Sequence, residues 1–155
     1  MDCSRVIHGG MESINCLHDL CPDLPSGYQI TQMYHPIVQN GWIDIKKEDG
    51  TIKRIRVNRI HIEQDAGKSI HCDSKSLMDY NRSGVPLMEI VSEPDISSAE
   101  EAVSYLKQLQ QILRFVDSSD ADLEKGTVRC DVNVSIMPID AKEFGTRCEI
   151  KNINS

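Results

Sequence analysis

From Val128 to Ile136 the chain alternates without a break. Val128, Cys130, Val132, Val134 and Ile136 are apolar, and Arg129, Asp131, Asn133 and Ser135 stand between them. Side chains of a strand point to opposite faces in turn, so a sustained period of two specifies a β-strand and excludes a helix. The stretch 146–153 has the same character, with Arg147, Glu149 and Lys151 on one side and Cys148 and Ile150 on the other. A loop at about Pro138 to Gly145 separates the two, so an antiparallel pair is expected. With matching faces, one sheet surface then carries Arg129, Asp131, Asn133, Arg147, Glu149 and Lys151. Such a surface can hold Mg²⁺ through its acids and phosphates through its bases. It can equally be a set of cross-strand ion pairs. Periodicity alone leaves these two readings level. Short or forked groups such as Arg, Asp, Asn and Ser nevertheless suit fixed hydrogen bonds better than a merely solvated face.

Upstream, a strand reads Trp42-Ile-Asp-Ile45, a hairpin turn follows at 47–50, and a long return strand runs through Ile52, Ile55, Val57 and Ile60 to Ile62. Asp65 to Ser69 reads as a polar loop leading through a short stretch to Asn81-Arg-Ser-Gly84. Leu87 to Ser92 has a compact buried-strand pattern, stopped by Glu93-Pro94-Asp95. Ser98 and Glu101 form a capping box, and Ala102, Leu106, Leu109, Leu113 and Val116 recur at helical steps. One main amphipathic helix is therefore expected at about 98–116. The result is an α+β fold, an antiparallel sheet with that helix. The length of 155 residues suits one domain.

Charge restricts the partners. With 17 Lys and Arg against 24 Asp and Glu, the formal net charge is −7. A broad basic nucleic-acid surface is not expected, since phosphate neutralisation needs clustered cations, but contact with RNA by shape or through a partner stays open. No apolar run approaches the roughly 20 residues needed to span a bilayer, and residues 1–21 show no secretory or transit pattern. A cytoplasmic protein with no membrane association is expected. The six cysteines (Cys3, Cys16, Cys21, Cys72, Cys130 and Cys148) include no C-x₂-C pair. Reduced and mostly buried thiols are the expectation, with Cys130 and Cys148 on apolar strand faces.

Two further places draw attention. Arg59, His61, Glu63 and Asp65 share one strand face, and the chain then turns into Gly67-Lys68-Ser69. That tripeptide lacks the upstream glycine of a Walker phosphate loop. Glu89 lies inside the apolar run Leu87-Met-Glu-Ile-Val91, where a buried carboxylate needs a metal or an arginine as partner. His8, His18, His35 and His71 have no supporting pattern, and the serines near Ser97 read as a helix cap.

Five longer words complete the reading: Pro22 to Ile30, Arg59 to Ser69, Asn81 to Asp95, Arg129 to Ser135, and Glu149 to Ser155. In this order and spacing they resemble the B-subunit family of aspartyl/glutamyl-tRNA(Asn/Gln) amidotransferases. The resemblance covers residues 22–155 as part of a catalytic domain, and leaves 1–21 as an irregular segment with no counterpart. It implies a glutamine-synthetase-like catalytic core. It also implies ATP-dependent phosphorylation of the side-chain carboxylate of Glu or Asp misacylated on tRNA, followed by amidation with ammonia from a glutaminase partner. The implied cofactors are ATP and Mg²⁺. The implied partners are the amidase (A) subunit, the small C subunit and the misacylated tRNA. On that model Glu63 and Glu89 lead the metal ligands, with His61 and Asp65 beside them. Arg129, Asp131, Glu149 and Lys151 take catalytic positions, and Lys68, Asn133 and Arg147 bind the nucleotide.

The departures from the family set further expectations. Its opening strand with a Glu-x-His pair has no match in residues 1–21, and the last word stops at Ser155. The chain is thus expected to be truncated at both ends and inactive in isolation. The alternative from another class is a non-catalytic scaffold that binds the amidase subunit and tRNA. A metal-dependent hydrolase using Glu63, Glu89 and His61 is the third reading.

Overall fold

In the computed structural model, residues 21–32, 34–73 and 75–153 are described. The irregular segment expected at 1–21, with Cys3, Cys16, His8 and His18, lies outside them apart from Cys21. The chain forms two compact units, Met1–Ala102 and Val103–Ser155.

The first unit is built on the predicted hairpin. Strands β1 (Val38–Lys46) and β2 (Ile52–Gln64) pair antiparallel with Ile43 opposite Ile55 and Ile45 opposite Lys53. Gly50 closes the turn at φ 82°, a left-handed conformation that glycine adopts without steric cost, and its N–H donates to the Lys47 carbonyl. The alternation places Ile43, Ile45, Ile55 and Val57 on one face, and all four are buried. This is the core of the unit, with Leu24 from the preceding turn also buried. Arg54 and Arg56 point the other way, where they pair with Asp44 and Asp95.

The end of the predicted polar loop and the short stretch after it contain a second hairpin, β3 (Lys68–Cys72) with β4 (Lys75–Asp79), a separate two-stranded sheet. Every residue of β3 is exposed. With no buried face there is no apolar alternation to read, and only backbone pairing defines these strands. Gly67 precedes them in a tight place. Its N–H donates to the Asp23 carbonyl, and a Cβ there would lie 2.9 Å from Cδ1 of Tyr80.

Strand β5 (Pro86–Ser92) returns antiparallel on the other edge of β2, giving the order β1-β2-β5. Glu101, with Ser97 and Ser98, then starts the helix α1 (Ala99–Phe115). The capping box forms with one change of partner. Ser98 Oγ accepts from the Glu101 N–H as expected, but the Glu101 carboxylate reaches back to the N–H and hydroxyl of Ser97. It also takes Lys53 Nζ of β2 at 2.6 Å.

In the second unit α1 ends in a Schellman motif. Asp117 stands at φ 55°, its N–H donates to Arg114 and the Ser118 N–H to Leu113. Leu113 and Ala121 are buried, and Gln110 and Arg114 both donate to the Ala121 carbonyl. Strands β6 (Cys130–Val134) and β7 (Cys148–Ile153) form the expected antiparallel pair, β6 shorter at both ends than the pattern suggested and β7 at its start. Among the described residues the fold is therefore α+β, antiparallel sheets with one helix. The thiols correct an expectation. Cys21, Cys72, Cys130 and Cys148 form no disulfide among the described residues, but Cys148, Cys21 and Cys72 are exposed and Cys130 only half-buried. A two-stranded ladder covers little of its own apolar face, and Val134 and Ile150 beside these thiols are exposed as well.

Candidate functional site

The first unit brings three of the predicted metal ligands together. His61 and Glu63 are two apart on β2 and so share a face, and antiparallel register sets Glu89 of β5 directly opposite His61. His61 Nε2 lies 3.0 Å from Glu63 Oε1 and 2.8 Å from Glu89 Oε2. One ligand atom from each of the three falls within 4.8 Å of the others. The imidazole is almost fully buried, at 1% exposure.

Glu89 itself differs from expectation. Its side chain is 48% exposed rather than buried, because β5 is the edge strand of its sheet. Its carboxyl pKa is nevertheless raised. Partial burial is the largest cause, and the neighbouring Glu63 carboxylate adds to it by charge repulsion and a shared hydrogen bond, against the opposing pull of His61 and Arg59. Two carboxylates that close favour either a shared proton or a cation between them. This is the observation by which the residues fit a divalent metal: two oxygen donors and one imidazole nitrogen converge, and one donor is half-open to solvent. The other ring nitrogen of His61, Nδ1, is buried without a hydrogen-bond partner among the described residues.

Asp65 falls outside this group. It lies past the end of β2, where its carboxylate pairs with Arg82 at 2.9 Å and its backbone bonds to Val85 and Gly84. Lys68 opens β3, in register with Asp79, and so belongs to the other hairpin of this unit.

The second unit carries the mixed polar surface. Asn133 pairs directly with Glu149, while Val132 faces Ile150 and Val134 faces Cys148, so the faces match as the alternation required. A register shift between Cys130 and Val132 interrupts the ladder at Asp131. Lys151 Nζ lies 3.5 Å from Glu149 Oε2, an ion pair along one strand rather than across two. Arg129, Asp131, Asn133, Arg147, Glu149 and Lys151 are all exposed.

Sequence reasoning passed over Arg59 as a functional residue. It lines an open polar cleft of about 280 Å³ with Tyr34, Gln39, Asn40 and Asn58. The signal available in sequence was its place two residues before His61 on the same face.

Comparison with known proteins agrees with the words quoted above. The family model described as the GatB/GatE catalytic domain matches residues 17–155. The chain is 60% identical over 135 residues to the B subunit of the aspartyl/glutamyl-tRNA(Asn/Gln) amidotransferase of Orientia tsutsugamushi (strain Ikeda), covering 86% of this chain and 28% of that protein. The B subunits of the same name from Wolbachia sp. subsp. Brugia malayi (strain TRS) and Coxiella burnetii (strain RSA 493 / Nine Mile phase I) are 60% and 58% identical over 134 and 136 residues, with the same coverage. The chain thus spans 28% of the length of these relatives. No helix among the described residues is long and apolar enough to cross a membrane.

Proposed function

Since the chain belongs to the GatB/GatE catalytic-domain family, we propose that it is part of an ATP-dependent amidotransferase subunit. In this reading the subunit phosphorylates the side-chain carboxylate of Glu or Asp misacylated on tRNA, and ammonia from a glutaminase partner then converts it to the amide. The amidase and small C subunits are the expected partners.

The observation that carries this reading is the convergence of His61, Glu63 and Glu89 on one point of the β2–β5 ladder. These three side chains would hold Mg²⁺. Bound there, the ion supplies positive charge to nucleotide phosphate oxygens, and phosphoryl transfer needs mainly positioning and such charge. The protein's own part is geometric. Strand pairing fixes Glu89 opposite His61, and the buried imidazole holds both carboxylates at hydrogen-bond distance. Arg129, Asp131, Glu149 and Lys151, with Asn133 and Arg147, provide fixed donors and acceptors for nucleotide and acyl-phosphate on the second unit's sheet. Lys68 is assigned a phosphate contact, and Asp65, paired with Arg82, is left out of the ligand set.

Calorimetric titration of the chain with Mg²⁺ and ATP, alone and with its amidase partner, tests this. Saturable binding is expected, weakened roughly tenfold or more in Glu89→Ala and Glu63→Gln, since affinity follows the count of charged ligands. Equal binding by Glu89→Ala and the parent chain would refute the ligand assignment. No binding even with the partner present would refute the nucleotide reading.

A further inference from the structure

The cleft beside Arg59 is built from two departures from regular strand structure. On β2 the register to β5 shifts between Val57 and Arg59, so Asn58 is an extra residue that bends the strand. On β1, Asn40 adopts φ 55°, a left-handed conformation uncommon outside glycine. Together they turn Asn58 and Arg59, neighbours that a regular strand would send to opposite faces, into the walls of one cavity with Asn40 and Gln39.

Within it the guanidinium is held and left incomplete. Glu93 Oε1 accepts from Asn58 Nδ2 at 2.6 Å, which turns the Asn58 carbonyl oxygen toward Arg59 Nη1 at 3.3 Å. Arg59 Nε is buried and has no hydrogen-bond partner among the described residues. A buried donor without an acceptor costs free energy that a ligand can return by supplying one. The other two arginines of β2 with resolved carboxylate partners, Arg54 and Arg56, show the contrast: each presents its Nε and Nη2 edge to both oxygens of one aspartate.

We propose that this cleft is an oxyanion-binding site, in which the Arg59 guanidinium takes a carboxylate or phosphoryl group. The planar fork of arginine matches two oxygens of either group, and the side-chain amides of Gln39 and Asn40 and the Tyr34 hydroxyl add neutral donors. Arg59 lies two residues from His61 on the same strand, so an anion held there sits next to the three converging metal ligands. The inference extends the reading above to a second subsite, and a metal-free measurement keeps the two separable.

The test is titration of the full chain in EDTA, followed by NMR or calorimetry, with inorganic phosphate in one arm and acetate in the other. Saturable binding in either arm is expected, and the responding arm identifies the phosphoryl or the carboxylate source. Arg59→Gln should abolish it, and Arg59→Lys should weaken it about tenfold, because an ammonium cannot reproduce the two-point fork. Gln39→Glu, an exposed isosteric change opposite Arg59 in register, should block binding by filling the fork from within. Arg54→Gln, which removes one positive charge elsewhere on β2, should leave it unchanged. Thermal melts matching the parent chain establish that Arg59→Gln and Gln39→Glu fold. The proposal is overturned if neither anion saturates, if folded Arg59→Gln or Gln39→Glu binds as the parent does, or if Arg54→Gln loses binding equally.

Discussion

Replacing Glu101 by Gln removes one negative charge and almost no volume, and the structure gives the consequence a sign and a size. The Glu101 carboxylate accepts from Lys53 Nζ at 2.6 Å, the Ser97 N–H at 2.8 Å and the Ser97 hydroxyl at 3.0 Å. Its side chain is 9% exposed. The Lys53 hydrogen bond, followed by the Ser97 N–H, holds its pKa down from 4.5 to about 2. At about 1.36 kcal/mol per pH unit this difference is worth at most ~3 kcal/mol, and solvent screening of Lys53 trims it to about 2 kcal/mol. A carboxyl whose folded pKa is depressed stabilises the fold above its unfolded value of 4.5, and that contribution is lost as pH falls toward about 2. Glu101→Gln keeps an oxygen for the Ser97 N–H and loses only the charge, so it should cost about 2 kcal/mol at pH 7. Urea unfolding followed by the fluorescence of Trp42, the sole tryptophan and a residue of β1, should show a midpoint about 1 M lower. The gap between the two proteins should narrow from pH 4.5 downward and close near pH 2. A gap that stays constant between about pH 5 and pH 2.5 would show that the charge is not what Glu101 contributes.

The raised pKa of Glu89 has the opposite sign: the penalty of ionising it beside Glu63 is absent below pH 4.5 and grows as pH rises through the folded value. Metal-free Glu89→Gln should therefore melt higher than the parent chain at about pH 7 and equally at about pH 4, and an unchanged melting temperature at neutral pH would contradict the crowding of the two carboxylates. Gly67→Ala should destabilise by about 1–3 kcal/mol, since the new methyl would meet the Tyr80 ring at 2.9 Å and the Asp23 carbonyl oxygen at 3.2 Å. A melt that matches the parent chain would mean that Tyr80 gives way freely, although its hydroxyl donates to the Pro22 carbonyl at 2.7 Å.

Much of the site was legible one strand at a time. Alternation fixed that His61 and Glu63 share a face with Arg59, and that Asn133 lies on the polar side of its strand, because both follow from a period of two along a single segment. The hairpin turn ending at Gly50 and the helix start at Ser98 were equally local, each set by residues within one turn of the chain. The β3–β4 hairpin escaped because an exposed two-stranded ladder imposes no apolar pattern on its sequence. The burial of Glu89 was misread for a related reason. An apolar run describes what a strand could bury, whereas its exposure depends on whether another strand lies beyond it, and none does among the described residues.

The amino-acid sequence by itself determined which residues alternate, where the first hairpin turns and the helix starts, and which family the chain belongs to. Only the tertiary structure decided that Glu89 stands opposite His61 rather than one position along. A slip of one residue would have sent that carboxylate to the other face. It also decided that an extra residue at Asn58 re-aims Arg59 into a cleft. Those outcomes belong to pairing between segments far apart in the chain. A strand's own period says which side a residue is on, but the partner strand says what it meets there.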